Sequence, residues 1–344
     1  FYFTVLPQVL LDLSSFVYDS CATAESWARF ESFAEPIGRD RTEAYSDDEI
    51  LDVLDGVAGI MKWGGLVPTL TGPILEQAKD LKIVGLWDDR FGKELDFDTA
   101  HELGVKVVDV SNIASSQPVA EWVLALMLAC LRNAGEVYRR MIAGTEQWAV
   151  ALNDDFVNGE LTEKHVSLIG CGHIMQRLIE LLAPFRVDLR VYDPYLPSEV
   201  ADRLGIQRGA LDEVIQHAEI LVVQVPHTPT TEGMIGRREL DLLRKGGIII
   251  SCCRGPVIQT EPLIEKLERK EIVAGLDVFD PEPLPKDSPI RTFPNAIISP
   301  HIAWYAPQAF PRYFDMMLDE FERFFTGEPL QYELTPRMVE LRNQ

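Results

Sequence analysis

The sequence has little cysteine and few basic residues for its length. Its five cysteines form no CxxC pair and no regular spacing. This argues against a disulfide framework, predicts no metal site and favours a reduced, cytoplasmic protein. Lys and Arg number 32 against 54 Asp and Glu, a formal net charge of -22. Such acidity argues against a nucleic-acid or anionic-membrane partner, because both need a basic surface.

Long apolar runs are also missing. The apolar stretch at 123–131 is too short to span a membrane. The first ten residues are apolar but have neither a basic leader nor a cleavage pattern, so no secretory signal is expected. With 344 residues, 47% of them hydrophobic and 25% charged, the chain has the composition of a soluble globular protein of two domains.

Short β-branched runs alternate with helical stretches, which is the pattern of parallel βαβ units. The first third predicts strands near 1–6, 56–61, 81–86 and 105–109, and helices near 47–55, 72–79 and 97–103. The amphipathic segment 118–142 is predicted as one connecting helix, opened by Pro118. The second set of strands is predicted at 166–170, 188–193, 220–226, 247–251, 274–279 and 296–300, with helices at 174–184, 211–217, 237–245 and 259–270. Six alternating strands match a doubly wound dinucleotide-binding domain. A last helix, at 307–326, carries an aromatic and methionine stripe that indicates core packing.

A glycine pair marks the candidate cofactor site. Gly170 and Gly172 lie between a predicted strand and a predicted helix, where glycines allow a tight turn and close approach of a pyrophosphate. Met175 occupies the position of the usual third glycine, which implies a slightly displaced helix. A plain loop turn explains the glycines about as well. Asp193 follows about 20 residues later, where a carboxylate takes the ribose hydroxyls and favours NAD over NADP. The alternative is that Asp193 simply starts a turn.

Three polar residues follow successive apolar runs: Arg254, Glu282 and His301. The carboxyl ends of parallel strands collect ligands and chemistry, so we expect the three to lie together. Arg254 can anchor a carboxylate and polarise a carbonyl. His301 is the natural proton donor, and Glu282 can orient it and raise its pKa. Individually they are equally well explained as a turn residue, an exposed acid and a core histidine.

The chain resembles the D-isomer-specific 2-hydroxyacid dehydrogenase family over roughly residues 50–330. The resemblance rests on several separated motifs: LKIVGLWDDRFGKELDFDTAHELGVKVVD, PVAEWVLALMLACLRN, VPHTPTTEGMIGRREL, CCRGPVI, LDVFDPEPLP and ISPHIAW. The last three motifs carry the family's arginine, glutamate and histidine onto Arg254, Glu282 and His301.

The resemblance implies an NAD-dependent enzyme that interconverts a 2-oxo acid and its D-2-hydroxy acid. It implies two doubly wound α/β domains around a cleft, with a Rossmann domain at 114–304 inserted into a flavodoxin-like substrate domain at 1–113 and 305–344. It also implies a homodimer.

The resemblance places substrate contacts in MKWGG, at Trp63, Gly64 and Gly65. Gly64 and Gly65 are equally well explained as a strand-end turn. Trp304 resembles a pocket-wall tryptophan of some members and is equally well explained by packing. The predicted cofactor contacts are Gly170, Gly172, His173, Ile174, Asp193, Pro226, Cys253 and Asp277.

Several departures from the family pattern indicate a divergent branch. A bulky, charged segment at 87–96 replaces a glycine-rich loop, and Gln259 and Ser251 stand where the family has Asp and Asn. The loops at 62–66 and 87–96 are expected to set the substrate. An NAD(H) sensor or corepressor-like protein is the alternative; NADH binding without turnover would favour it. Formate-type chemistry fits less well, because it needs no proton relay, whereas phosphite oxidation is compatible with the same residues.

Overall fold

The structure, a computed structural model, describes residues 6–87, 94–148 and 159–343, and of 341–343 the backbone alone. The chain divides into two compact units, each built on one sheet. The first unit comprises Phe1–Ser115 and Ala306–Leu341, and the second comprises Ser116–Tyr305 and Arg342–Gln344. Among the described residues, no helix is long and apolar enough to cross a membrane.

The first unit is a five-stranded parallel sheet flanked by helices. Its strands are β1 Gln8–Leu13, β2 Glu35–Ile37, β3 Val57–Trp63, β4 Ile83–Leu86 and β5 Lys106–Asp109. Its helices are α1 Ala24–Phe33, α2 Asp47–Val53, α3 Gly72–Gln77, α4 Phe97–Glu102, α5 Ser111–Ala114 and, later in the chain, α13 Phe310–Thr326; α14 spans Pro336–Asn343. The strand order β2-β1-β3-β4-β5 is that of flavodoxin-like folds.

Helix α13 packs closely on the sheet because two strands carry glycine where it crosses. A Cβ on Gly59 would lie 2.8 Å from Phe321, and one on Gly85 would lie 2.4 Å from the sulfur of Met317. Met317 and Phe321 are fully buried. The core role expected for this aromatic and methionine stripe is confirmed for Met317 and Phe321, whereas Met316, Phe324 and Phe325 are half-buried.

The second unit is a seven-stranded parallel sheet with helices on both faces. Its strands are β6 His165–Ile169, β7 Asp188–Tyr192, β8 Gln207–Arg208, β9 Ile220–Val223, β10 Gly247–Ser251, β11 Ile272–Leu276 and β12 Ala296–Ile298. Its helices are α6 Ser116–Leu131, α7 Ala134–Ala143, α8 His173–Leu182, α9 Ser198–Leu204, α10 Leu211–His217, α11 Arg237–Leu242 and α12 Thr260–Glu268. The strand order is β12-β11-β10-β9-β6-β7-β8. The chain builds the sheet outward from β6 on one side and then from β9 on the other, as in dinucleotide-binding sheets. The predicted fold class is confirmed.

Some local predictions are wrong. The single helix expected over 118–142 is two helices, because Asn133 adopts a left-handed backbone (φ 47°) between α6 and α7. Asparagine tolerates this conformation better than most residues, so it can break a helix without glycine. The strand expected near 1–6 falls mostly on residues 1–5, outside the described residues, and is not scored; the first described strand is Gln8–Leu13. The strand expected at 274–279 is Ile272–Leu276.

Candidate active site

The turn between β6 and α8 is shaped by its two glycines in different ways. Gly170 has φ +92°, and a Cβ there would lie 2.4 Å from the carbonyl oxygen of Gln224 on the neighbouring chain segment. Gly172 caps the N-terminus of α8, is exposed, and would have open space around a Cβ. Gly170 thus permits the turn, while Gly172 leaves the helix N-terminus accessible. An accessible helix N-terminus is a suitable site for a phosphate group.

Asp193 lies against this turn, just past the end of β7. Its carboxylate accepts a hydrogen bond from the backbone N–H of Cys171 at 2.8 Å and another from that of Tyr195 at 2.9 Å. Asp193 therefore does start a turn, and it also ties that turn to the glycine loop. Burial raises the pKa of the Cys171 thiol to about 12, so the thiol stays uncharged at neutral pH. An uncharged thiol does not repel an anion bound at this turn.

The other residues predicted for the cofactor site occupy varied positions. His173 is exposed and Ile174 half-buried on the first turn of α8, whereas Met175 is fully buried in the core below. Pro226, beyond β9, is exposed, and its carbonyl accepts a hydrogen bond from a threonine hydroxyl. Cys253 is buried with its sulfur 3.3 Å from the hydroxyl of a neighbouring serine.

Gln224, which the sequence did not single out, lies next to Gly170. Its side-chain nitrogen donates to the carbonyl of Cys252 at 3.3 Å. Its Oε1 atom is buried and has no hydrogen-bond partner in the described parts of the chain. A buried acceptor without a partner is suited to take a donor from a bound molecule.

His301 and Glu282 form a direct pair. The Nδ1 atom of His301 lies 2.9 Å from Oε2 of Glu282, while Oε1 of Glu282 accepts the backbone N–H of Phe279 at 2.9 Å. Both side chains are about one-third exposed. The carboxylate is therefore held at one oxygen by the backbone and orients the imidazole with the other, which leaves Nε2 to face an incoming group.

The backbone of His301 is held in an unusual conformation by the loop after β12. Its φ is 54°, in the left-handed region that few side chains adopt. Fully buried Asp277 fixes this loop: its carbonyl accepts the His301 N–H, and its carboxylate accepts the Ser299 hydroxyl and the N–H groups of Ile302 and Ala303. Such an over-determined loop can hold a strained residue in place. This support was not foreseen, although an acidic residue directly after a buried strand was its signal.

Arg254 follows β10 and is exposed. Its guanidinium donates to the carbonyl of Cys253 at 2.8 Å, and no carboxylate in the described ranges pairs with it. The next residue, Gly255, makes an extremely close contact: a Cβ there would lie 1.7 Å from the carbonyl oxygen of Phe279. Gly255 thus allows the arginine segment to lie directly on the segment that leads to Glu282.

A pocket of about 640 Å³ within the second unit borders the histidine–glutamate pair. It is lined by Phe279, Glu282, Pro283, Leu284, Arg291, Ile298, Ser299, Pro300 and His301. The volume is ample for a small organic molecule. Arg291 supplies positive charge there while donating to the carbonyls of Leu284 and Pro285.

In the first unit, the predicted substrate turn is built on a buried ion pair. Asp12, fully buried at the end of β1, accepts the N–H of Leu66 at 2.7 Å and the ammonium of Lys62 at 3.3 Å. A Cβ on Gly64 would lie 2.6 Å from Asp12, whereas Gly65 has φ +76° with open space around it. Glycine is therefore needed at 64 for space and at 65 for its conformation. A charge inside each of two apolar strands was the signal for this pair.

Two tryptophans predicted near the substrate have clear packing roles. Trp63 stacks on Trp87 with ring centroids 5.3 Å apart and also contacts Tyr313. Trp304 is half-buried, contacts Tyr305 edge-on and packs against the core of the second unit. These contacts orient both rings; their substrate roles stay predictions.

Sequence comparison finds close relatives. Residues 124–303 match the family model described as D-isomer specific 2-hydroxyacid dehydrogenase, NAD binding domain. The chain is 36% identical over 237 residues to D-3-phosphoglycerate dehydrogenase of Methanocaldococcus jannaschii, a match that covers 67% of this chain and 43% of that protein. It is 30% identical over 257 residues to glyoxylate/hydroxypyruvate reductase B of Yersinia pestis, covering 74% of this chain and 76% of the reductase. The chain thus spans under half the length of the first relative.

Solved structures resemble almost the whole chain. A phosphoglycerate oxidoreductase from Rhizobium etli matches with a TM-score of 0.80 and 23% identity, covering 96% of this chain and 98% of that one. The apo form of Rhodotorula graminis D-mandelate dehydrogenase matches with a TM-score of 0.80 and 22% identity, covering 96% and 97%. At these identities the likeness supports the fold alone.

Proposed function

The chain belongs to the D-isomer-specific 2-hydroxyacid dehydrogenase family, and from this we propose that it interconverts a 2-oxo acid and its D-2-hydroxy acid. It is an oxidoreductase with NAD as its cofactor. The accessible N-terminus of α8, the Asp193 carboxylate and the unpaired Oε1 of Gln224 suit a dinucleotide. NAD supplies the group that gives or takes the hydride.

The hydrogen-bonded pair of His301 and Glu282 carries the proposal. Glu282 holds Nδ1 of His301, so the proton for the substrate oxygen is given or taken at Nε2. A carboxylate beside the ring stabilises the imidazolium that this transfer requires. The backbone N–H of Phe279 keeps Glu282 in place through its second oxygen.

Arg254 is proposed as the substrate anchor. Within the described ranges its guanidinium donates one hydrogen bond, to the carbonyl of Cys253, which leaves further donors for a carboxylate and a carbonyl oxygen. In the first unit, Trp63 and the turn at Gly64 and Gly65 are proposed as substrate contacts, the glycines through their backbone N–H groups. Beneath this turn the Lys62 ammonium lies between two carboxylates, 3.3 Å from Asp12 and 2.8 Å from Glu94, and so offsets part of their negative charge. In the second unit, Trp304 is proposed as a pocket-wall residue.

Steady-state kinetics tests the reaction. The purified protein with NADH and a panel of 2-oxo acids should oxidise the cofactor, and His301→Ala should lose most of the turnover while still binding NADH. Glu282→Gln, which keeps the size of the side chain, should lose turnover in the same assay. Tight NADH binding without acceleration by any acid in a broad panel would contradict the proposal and favour a sensor.

Asp193 is proposed to set the preference for NADH over NADPH. Its carboxylate would repel a 2′-phosphate, so fluorescence titration should give much tighter NADH binding. Asp193→Asn keeps an acceptor for the N–H groups of Cys171 and Tyr195 but removes the charge, and should narrow the preference. Equal affinities of the unmodified protein for the two cofactors would rule out this role.

A homodimer is proposed from the exposed apolar face of α7. Val137, Tyr138, Met141 and Ile142 are all exposed, Ile142 by 73%, and the helix buries none of its residues. Such a face on an otherwise charged helix is typical of a protein–protein interface. Light scattering after gel filtration should give twice the chain mass at micromolar concentration, and Ile142→Glu should shift the equilibrium to the monomer. A monomer throughout this range would contradict the proposal.

A reduced, cytoplasmic location is proposed from the cysteines. All five are buried and none forms a disulfide. Burial raises the pKa of the Cys21 and Cys130 thiols to about 12, so they stay protonated and unreactive at neutral pH. Fractionation of the native cells, followed by detection with an antibody, tests the location directly.

A further inference from the structure

Two histidines and an aspartate meet at the edge of the second sheet opposite the glycine turn. His165 is the first residue of β6, Asp188 is the first residue of β7 and its partner in register, and His217 ends α10. The Nε2 atom of His217 lies 3.0 Å from Oδ2 of Asp188, and that of His165 lies 3.8 Å from the same oxygen. Nothing in the proposed reaction uses these residues.

The His217 ring is held from behind. Its Nδ1 atom lies 3.2 Å from the hydroxyl of Ser167, which is fully buried in β6. The His217 side chain is itself only 6% exposed. A hydrogen bond at one ring nitrogen that directs the other toward a common point is the arrangement that orients histidine ligands in metal sites.

The charges around the three side chains favour a cation. Asp188 supplies a half-exposed carboxylate, and Arg190 is the positive side chain two positions further along the same strand. The other cations at this edge, Lys164 and Arg244, both contact Glu219 at 2.9 and 3.6 Å. Arg190 is therefore the positive side chain that would repel a cation bound here.

We propose that His165, Asp188 and His217 bind a divalent metal ion that prefers nitrogen ligands, such as Zn²⁺. With Zn–N bonds of about 2.0–2.1 Å, two ligand atoms of a tetrahedral zinc ion lie about 3.3 Å apart. The distances from Asp188 to His217 and to His165, 3.0 and 3.8 Å, lie on either side of this value. Two imidazoles and one carboxylate suit Zn²⁺, Ni²⁺ or Cu²⁺ and not Mg²⁺ or Ca²⁺. The prediction of no metal site was based on cysteine spacing, whereas the ligands proposed here are two histidines and an aspartate.

Binding requires one movement. The rings of His165 and His217 stack with centroids 4.6 Å apart and planes 7° apart, so the nitrogen lone pairs lie in nearly parallel planes and do not converge on one ion. The His165 side chain is 48% exposed and turns out of the stack to direct Nε2 at the ion. The ion then links the first residues of β6 and β7 to the end of α10, and water completes its coordination.

Calorimetric titration with Zn²⁺ tests the site, using protein first stripped with EDTA. The unmodified protein should bind one more Zn²⁺ than His165→Asn, and Zn²⁺ should raise its Tm by several degrees more. His227→Asn is the matched control, because His227 contacts a single carboxylate, Glu232, at 3.3 Å. It should bind as many ions as the unmodified protein. Mg²⁺ should give no heat in any variant.

Two further measurements keep the outcome decisive if His165→Asn changes folding. Asp188→Asn, at a half-exposed carboxylate, should lose the same ion, and Ser167→Ala should weaken binding by about tenfold or more. The electron paramagnetic resonance spectrum of one bound Cu²⁺ should show two nitrogen ligands. An equal number of bound ions in the unmodified protein, His165→Asn and Asp188→Asn, or a spectrum without nitrogen coupling, would overturn the proposal.

Discussion

Gly255 links the proposed substrate-anchor segment to the proposed acid–base pair, and replacing it with alanine should disturb both. The added methyl would lie 1.7 Å from the carbonyl oxygen of Phe279 and 2.0 Å from its carbon. Non-bonded carbon contacts are about 3.5–4.0 Å, so one of the two backbones must move by about 2 Å. Both backbones belong to loops that carry reacting groups, Arg254 on one and Glu282 on the other. A displacement of even 1 Å costs about 100-fold in rate when it misplaces such groups.

We therefore expect Gly255→Ala to lower kcat/KM for the best 2-oxo acid by about 100-fold or more. Urea denaturation should show a loss of about 3 kcal/mol in unfolding free energy, the upper end for overpacking. Gly172→Ala is the control: its methyl meets open space at an ordinary φ of -71°, so stability should change by no more than about 0.5 kcal/mol. Gly172→Ala should also lower the affinity for NADH, because its methyl lies where the pyrophosphate is proposed to approach the backbone; Gly255→Ala should leave NADH affinity unchanged. A Gly255→Ala enzyme within about threefold of the original kcat/KM would refute the reasoning.

Three other substitutions test buried or paired charges. Lys62→Met leaves the Asp12 carboxylate buried without its partner and should cost about 3–5 kcal/mol in urea denaturation, with part regained when Asp12→Asn is added. Asp277→Asn should lower kcat with little change in NADH affinity if its main role is to hold the His301 loop; a raised NADH Kd would instead support the cofactor contact. Asp188→Asn should cost less than about 1 kcal/mol at pH 7, because the group is half-exposed. Since the hydrogen bond from His217 lowers the pKa of Asp188, this contribution is present above about pH 4, the usual pKa of an unfolded Asp, and is lost as pH falls through the lowered value. In EDTA the unfolding free energies of the two proteins should therefore converge at low pH.

The approach of His301 to Glu282 follows from topology that the sequence already indicates. The apolar runs before the two residues became β11 and β12, which are neighbours in a parallel sheet. Neighbouring strands bring their carboxyl ends together, so two residues 19 positions apart meet at 2.9 Å. The same reasoning placed Asp193 beside the glycine turn. Alternation of strands and helices therefore predicts both the fold and the pairing within it.

Contacts set by loop geometry could not be predicted in this way. The approach of Gly255 to Phe279 and the support of Leu66 by Asp12 depend on how two distant backbones pack, which local patterns do not encode. The break at Asn133 was missed because apolar residues keep helical spacing on both sides of it. One signal was readable: Asp12 and Lys62 are charges inside apolar strands, and buried charges need partners.

The proposed proton-handling pair and the proposed substrate turn are encoded in different stretches of the chain. The hydrogen bonds that hold His301 and Glu282 lie within the second unit, whereas Asp12 in the first unit holds the turn at 64–66. Substitutions in the turn can therefore accumulate without altering proton transfer, provided that Asp12 and Lys62 are kept. A family with this arrangement can evolve new substrates by changing one short segment, and directed evolution of this chain should begin with Trp63, Leu66 and Val67, keep Gly64 and Gly65, and leave 277–303 intact.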